Sequence, residues 1–346
     1  MSHPPLAADH IDAPHREWLL GDLVLESGET IVDYRQSFVT HGVLNEDRSN
    51  VVLICAALTA THHRLDFLIG PGEALDPARW FIVATDPIGN GLSTSPSNSA
   101  RQRGMRFPRF ALRDMVAAQH RLLTAHLGID RIEAVVGASM GGMQALQWGV
   151  THPAFMKKLV AMTPMARTAP WAICVTETAR ACLMADPAWT GDGFDGIPER
   201  GWTAYSGLMN ALLMRTPAAV DGLLVDLDAT RRWFAQLATQ QRANGFDAHD
   251  YLYQSWAYEA HDVGTTPGLA GTDDALRTIA ARTLVLAPPD DLFNPACAAR
   301  AAADAIRHAT FVEIPSTQGH LAASSIRNED AAFLNRTIAA FIGAKD

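Results

Sequence analysis

The sequence predicts an α/β fold in which a mostly parallel sheet is flanked by helices and carries a helical insertion. Three observations predict it. Short, continuous apolar runs recur along the 346 residues and are typical of strands buried on both faces of a parallel sheet. Stretches of helical length and period lie between several of these runs. One long segment, residues 167–274, has no strand-like run and has a helix-like pattern.

The strand candidates begin with a hairpin, because the apolar residues at 23–25 and 31–35 flank the turn residues Ser27, Gly28 and Glu29. Six apolar runs then predict buried strands at residues 50–58, 80–85, 132–136, 158–163, 283–287 and 310–314. Helices are predicted at residues 112–127, 141–149, 296–307 and 330–342. Strands that alternate with helices imply right-handed crossovers and helices on both faces of the sheet.

These elements divide the chain into three parts. Residues 1–20 show no clear period and are predicted to form a loose N-terminal arm. Residues 21–166 and 275–346 form the predicted core domain, and residues 167–274 form a helical cap over one edge of the sheet. The cap holds five tryptophans, which are more typical of a packed core than of a stacking platform: Trp171, Trp189, Trp202, Trp233 and Trp256.

Composition and charge exclude several classes of function. The 28 Lys and Arg against 37 Asp and Glu give a net charge of −9, which argues against a nucleic-acid surface. No apolar run approaches the roughly 20 residues needed to span a bilayer, and the start of the chain lacks the apolar core of a signal peptide. We therefore expect a cytoplasmic protein with a small-molecule substrate and no nucleic-acid or membrane partner. A monomer and a homodimer are both open.

The sequence also predicts no metal site and no bound cofactor. His62 and His63 are adjacent instead of four residues apart, and no set of Cys or carboxylate ligands has the spacing of a metal site nearby. Gly89-Asn90-Gly91 lacks the rest of a dinucleotide fingerprint, and no phosphate-binding loop pattern is present. Four cysteines in a chain of this length do not make a disulfide framework.

One motif carries chemistry. Gly137-Ala138-Ser139-Met140-Gly141 fits the G-x-S-x-G pattern, follows a predicted buried strand and precedes a predicted helix. This is the strand–turn–helix context in which a sharp turn lifts a serine above the edge of the sheet. The helix N-terminus that follows favours developing negative charge. Ser139 is therefore predicted to be a nucleophile.

A serine hydroxyl needs a histidine to take its proton and an acid to orient that histidine. In this arrangement the partners follow in the order Ser, Asp or Glu, His, each after a late strand. Asp290 and Asp291 come directly after the run at 283–287, and His320 follows the last predicted strand. The pattern predicts His320 as the base and leaves open which aspartate orients it.

The tetrahedral intermediate of acyl transfer needs two backbone N–H donors. One is expected from Met140, the residue after the nucleophile. The other is expected from the loop after the run at 50–58, where Leu58 or Thr59 is in place.

At these residues the chain resembles the homoserine O-acetyltransferase branch of the α/β-hydrolase superfamily, from about residue 44 to residue 341. Several stretches carry the resemblance: CAALTA (55–60), DFLIGPGEALD (66–76), GASMGGMQALQW (137–148), ETARACLMADPAW (177–189), FDAHDYLY (246–253), DDLFNP (290–295) and GH (319–320).

The resemblance implies the α/β-hydrolase fold, with Ser139 as nucleophile and His320 as base. It favours Asp290 over Asp291, because the family has Asp, any residue, Leu, Phe at that turn. It places the second oxyanion donor at Leu58. It also implies that Arg180 grips a substrate carboxylate, a task that suits a guanidinium fork.

The chain departs from the family where an amino-acid acceptor would be held. Family members have an Asp directly after the catalytic histidine, where this chain has Leu321. We therefore expect acyl-enzyme chemistry. The first hypothesis is hydrolysis of an ester, thioester or activated amide of a small substrate that can carry a carboxylate. The alternative is O-acetyl transfer from acetyl-CoA, as co-substrate, to homoserine, serine or another small alcohol.

Overall fold

A single eight-stranded sheet forms the centre of the molecule in the computed structural model, which describes residues 6–224 and 226–344. The strand order across the sheet is β1-β2-β4-β3-β5-β6-β7-β8. The strands are β1 (Arg16–Val24), β2 (Thr30–His41), β3 (Val51–Cys55), β4 (Phe81–Thr85), β5 (Ile132–Ala138), β6 (Met156–Met162), β7 (Arg282–Ala287) and β8 (Ala309–Glu313).

The six strands from β3 to β8 are parallel to one another, and β2 pairs antiparallel with both β1 and β4. Each of the six predicted apolar runs overlaps one of these parallel strands. Every residue of β3, β4 and β5 is buried, as expected for strands covered on both faces. Because the strands are parallel, their carboxyl ends meet at one edge of the sheet, where ligand sites of such folds form.

Helices cover both faces of the sheet. Val116 and Leu146 pack on one face with alternate strand residues, whereas Leu334 and Ile338 pack on the other. The helices are α1 (Leu112–Arg121), α2 (Met140–Thr151), α3 (Pro170–Met184), α4 (Glu199–Ser206), α5 (Pro217–Asp221), α6 (Leu227–Ala243), α7 (Ala248–Glu259), α8 (Thr272–Arg277), α9 (Ala296–Ala305) and α10 (Asn328–Gly343).

The predicted cap, residues 167–274, contains α3 to α7 and no strand among the residues that the structure describes. A wider helical turn, Gly207–Leu213, continues α4. Helix α8 crosses the predicted boundary at residue 274. No helix in the described part of the chain is long and apolar enough to cross a membrane.

The arm predicted for residues 1–20 is wrong for residues 16–20, which belong to β1. β1 is an edge strand, so most of its residues are exposed and only weak alternation is left in the sequence. Trp18 and Leu20 are half-buried, whereas their neighbours Glu17 and Leu19 are exposed. Residues 1–5 of the predicted arm lie outside the described residues.

Candidate active site

The predicted turn between β5 and α2 places Ser139 in a backbone conformation that few non-glycine residues adopt, with φ 56° and ψ −123°. The glycines around it are required by close backbone contacts. A Cβ at Gly137 would lie 2.1 Å from the carbonyl oxygen of Gly141, and a Cβ at Gly141 would lie 2.1 Å from that of Cys55. The turn can therefore form only with glycine at these two positions, and it presents Ser139 at the carboxyl edge of the sheet.

Three side chains far apart in the sequence form a hydrogen-bonded chain at this edge. Ser139 Oγ lies 2.9 Å from His320 Nε2, and His320 Nδ1 lies 2.7 Å from Asp291 Oδ2. All three residues are buried. A carboxylate only accepts hydrogen bonds, so Nδ1 carries a proton and Nε2 faces the serine hydroxyl as acceptor. This is the tautomer that a general base needs.

The aspartate of this chain is Asp291, and the assignment to Asp290 is wrong. After β7 the chain turns through Pro288 and Pro289, and this turn leaves Asp290 exposed. Asp291 points inward, where its Oδ1 accepts the backbone N–H groups of Phe293 (2.9 Å) and Asn294 (2.8 Å) and its Oδ2 accepts from His320. These bonds fix the carboxylate orientation.

A second set of buried side chains, which the sequence analysis missed, holds the turn that carries Asp291. The hydroxyl of Tyr258 donates to Asn294 Oδ1, and Asn294 Nδ2 donates to the carbonyl of Thr163, 2.7 Å away, at the end of β6. Burial raises the pKa of Tyr258, so its hydroxyl stays a donor. Phe293 stacks on Tyr258 and packs edge-on against His320. The only signal in the sequence is the Phe-Asn pair that follows Asp291.

The loop after β3 is fixed in a way that favours Leu58 as the second oxyanion donor. Thr59 has a positive φ of 60°, and its backbone N–H donates to Gln254 Oε1 at 3.0 Å. Thr59 is therefore already used as a donor, whereas Leu58 lines the space next to Ser139. Met140 is the first residue of α2, where a backbone N–H has no acceptor within the helix.

A cavity of about 90 Å³ lies next to Ser139 and His320. A cavity of this size suits a small acyl group. Cap residues and Arg64 complete its wall. The lining residues are Ala57, Leu58, Thr59, Arg64, Ser139, Tyr205, Met209, Asn210, Met214, Gln241, Phe293 and His320.

Arg64 was not identified from the sequence. It lies in the short helical turn His62–Leu68, it is half-buried, and its guanidinium makes no hydrogen bond or ion pair with any described residue. Burial lowers the pKa of Arg64 to about 10, which still leaves it protonated at neutral pH. The wall of the cavity therefore contains a positive charge that no described residue neutralises as a counter-ion.

Arg180, predicted to grip a substrate carboxylate, does not line this cavity. It is buried in α3, where its guanidinium pairs with Glu177 and Glu259 and donates to Ser255 Oγ. Two carboxylates already neutralise the guanidinium charge, so no positive charge is left over for a substrate. The pairing partner Glu259 lies 79 residues away in the sequence, so the sequence alone does not reveal this pairing.

Comparison with known proteins agrees with this geometry. Residues 50–323 match the family described as the alpha/beta hydrolase fold. A homoserine O-acetyltransferase of Caulobacter vibrioides is 34% identical over 86% of this chain and 87% of its own length. One of Methanosalsum zhilinae is 31% identical over 86% of this chain and 67% of its own length. The chain belongs to the homoserine O-acetyltransferase-like branch of the α/β-hydrolase superfamily.

Solved structures of this superfamily include both enzymes that transfer and enzymes that hydrolyse. The acetyl esterase MekB is 27% identical, with a TM-score of 0.90 over 96% of this chain and 97% of that one. The homoserine O-acetyltransferase of Bacillus anthracis is 25% identical, with a TM-score of 0.84 over 96% of this chain and 98% of that one. The chain is thus an enzyme of the hydrolase or O-acyltransferase type that acts on small molecules.

Proposed function

We propose that this enzyme transfers an acetyl group from acetyl-CoA to the hydroxyl of a small, carboxylate-bearing alcohol through an acyl-enzyme at Ser139. His320 takes the Ser139 proton as the hydroxyl attacks the thioester carbon. The backbone N–H groups of Leu58 and Met140 receive the oxyanion, and Asp291 keeps the imidazolium oriented. His320 returns the proton to the departing thiolate.

The second half of the reaction uses the same groups in reverse. The acceptor hydroxyl gives its proton to His320 Nε2 and attacks the acetyl carbon of the acyl-enzyme. The second tetrahedral intermediate breaks down when Ser139 leaves and recovers a proton from His320. No cofactor is needed, because the proton and the acyl group move only between substrates and these side chains.

The observation that carries the nature of the acceptor is the guanidinium of Arg64 in the wall of the cavity, which pairs with no carboxylate in the described part of the chain. A half-buried positive charge without a protein partner favours an anionic ligand, and a guanidinium fork binds a carboxylate with two hydrogen bonds. Asn210 and Gln241 line the same cavity and offer further polar contacts from the cap. These groups support a seat for a small polar molecule beside the acyl-enzyme.

The relatives support the proposal of transfer over hydrolysis, the reverse of the order expected from the sequence. Homoserine O-acetyltransferases are 31–34% identical over most of the chain. A cavity of about 90 Å³ is consistent with an acetyl group as the acyl part.

Hydrolysis of an acetyl ester is the second candidate, and two observations favour it. Leu321 stands where the family has an aspartate directly after the catalytic histidine, so a contact for an acceptor amino group is missing. MekB, with a TM-score of 0.90, is named as an acetyl esterase. In this reaction water replaces the alcohol in the second half, and Arg64 would hold the leaving part of the ester.

The experiment that separates the two supplies acetyl-CoA to the purified enzyme with and without homoserine, serine or a hydroxy acid lacking the amino group. We expect thiol release to depend on the added alcohol, and an O-acetyl product to form in equal amount. Thiol release that is unchanged by every alcohol, together with rapid cleavage of acetyl esters, would overturn transfer in favour of hydrolysis. The Ser139→Ala variant controls for background thioester hydrolysis.

A further inference from the structure

A cluster of histidines lies outside the active site, where the chain before β1 contacts the helical turn His62–Leu68. His15 Nε2 is 3.1 Å from His62 Nε2, although 47 residues separate the two in the sequence. His62 is buried, whereas His15 is exposed. The two nitrogens therefore lie together at a position that solvent reaches from the side of His15.

Asp86, directly after β4, fixes the orientation of His62. Both oxygens of Asp86 lie 3.1–3.2 Å from His62 Nδ1, and Oδ1 also accepts the backbone N–H of His62 at 3.0 Å. A carboxylate only accepts, so His62 Nδ1 carries the proton and the lone pair is on Nε2, the atom that faces His15. This is the carboxylate–histidine arrangement that orients histidine ligands in metal sites.

The Asp86 oxygens have no capacity left for direct coordination. Besides His62, they accept from Ser37 Oγ at 2.8 Å and from Asn90 Nδ2 at 3.0 Å. Asp86 is completely buried, whereas His15 provides the exposed side. Asp86 is therefore able to orient His62 but not to coordinate an ion itself.

The distance between the two imidazole nitrogens matches that of two ligands of one ion. With metal–nitrogen bonds of about 2.0–2.1 Å and tetrahedral angles, two ligand nitrogens lie roughly 3.3 Å apart, close to the observed 3.1 Å. We propose that His15 and His62 bind one divalent transition-metal ion of the Zn²⁺ class, with Asp86 as the positioning residue. Imidazole donors select such an ion over Mg²⁺ or Ca²⁺.

Neighbouring contacts place His15 for this role. His10 stacks on His63 with ring centroids 4.1 Å apart, and His63 Nδ1 lies 2.6 Å from Asp66 Oδ2. The same Asp66 oxygen accepts the backbone N–H of Ile11 at 2.8 Å. The segment before β1 is thus held on the turn at two points before His15 is reached, so less conformational entropy is lost when the ion binds.

An ion at this site would join the segment before β1 to the turn that carries Arg64. His62 begins that turn, and Arg64, two residues later, lines the cavity next to Ser139. The site is therefore a structural clip behind the substrate cavity and supplies no group to the reaction. No metal-site spacing is visible in the sequence around His62 and His63, because the second ligand, His15, lies 47 residues from His62.

The test is a calorimetric titration of the full chain, without an affinity tag, with ZnCl₂ alone. We expect saturable binding of one ion per chain and a rise of the melting temperature with Zn²⁺. Co²⁺ should give the visible absorption of a four-coordinate site. Because His15 is exposed, His15→Gln is expected to fold normally and to lose affinity by about tenfold or more, as should Asp86→Asn, whose side chain no longer orients His62.

The matched control is His308→Gln, which removes an exposed histidine far from the site in sequence and should bind Zn²⁺ like the unaltered chain. Equal Zn²⁺ affinity in the unaltered chain and in His15→Gln would overturn the proposal, as would the absence of saturable binding. Neither result depends on the acyl-transfer reaction, so the metal site and the proposed function fail or stand separately.

Discussion

Two arginines, one in the cap and one in the wall of the cavity, differ in what surrounds their charge. Arg180 lies inside the cap, with its guanidinium between Glu177 and Glu259. Arg64 lies in the wall of the cavity, without a hydrogen bond or ion pair from its guanidinium to any residue in the described part of the chain. Both side chains are at least half-buried, so burial does not separate them. The two arginines differ in whether a neighbouring carboxylate compensates their charge. This difference indicates a structural role for Arg180 and a ligand-binding role for Arg64.

A second contrast, in burial and orientation, separates the two adjacent aspartates after β7. Asp290 is exposed in the turn, whereas Asp291 is buried and accepts two backbone N–H groups and the His320 ring. Residues of identical type, one position apart, thus differ because only one of them points into the site. The predictions below test these two contrasts, from the largest expected effect to the smallest.

The common reference for both contrasts is the nucleophile. Ser139→Ala should reduce turnover of any acyl substrate by about 10⁴ to 10⁶-fold, because the triad acts as a unit. It should also abolish labelling of the folded protein by a fluorophosphonate probe. Turnover close to that of the unaltered enzyme would show that the chemistry takes place elsewhere, and neither arginine would then bear on it.

The aspartate pair offers a direct control within one turn. Asp291→Asn should reduce kcat by about 10⁴-fold, because an amide can present its N–H to His320 Nδ1 and stabilise the wrong tautomer. Asp290→Asn should leave kcat within about twofold of the unaltered enzyme, as expected for an exposed side chain. Steady-state kinetics on one acetyl ester measures both. The opposite ranking would restore the assignment made from the family pattern.

Arg180→Met should act on stability. Removal of the guanidinium leaves the partly buried Glu259 without its partner, so the free energy of unfolding should fall by about 3 kcal/mol. In Arg242→Met, which breaks an exposed pair with Glu199, the loss should stay below about 1 kcal/mol. Denaturant titration measures both. A selective rise of KM for anionic substrates in folded Arg180→Met would instead assign that arginine to the substrate.

Arg64→Met should act on substrate binding. Loss of a charged hydrogen bond of about 1.5–3 kcal/mol predicts a rise of roughly 10 to 100-fold in KM for a carboxylate-bearing substrate. A neutral acetyl ester should keep its KM. Stability should be maintained or rise, because a half-buried charge without a partner is removed. Arg64→Lys should recover part of the affinity. Equal changes of KM for the anionic and the neutral substrate would contradict the proposed role.

The sequence by itself determined the parallel sheet, the turn that carries Ser139 and the position of His320 after the last strand. These features depend on local rules: continuous apolar runs make buried strands, glycines permit the close backbone contacts at the turn, and parallel strands end at one edge. A short window of sequence is sufficient for each of them.

Only the tertiary structure decided which side chains meet. Asp291 and Asp290 differ only in where their side chains point. The other contacts join residues that are distant in the sequence: Arg180 with Glu259, Tyr258 with Asn294, and His15 with His62. Such pairings depend on how the cap and the N-terminal segment pack against the sheet. Hydrophobic periodicity indicates which face of an element is buried, but it does not indicate which polar group of a neighbouring element contacts that face.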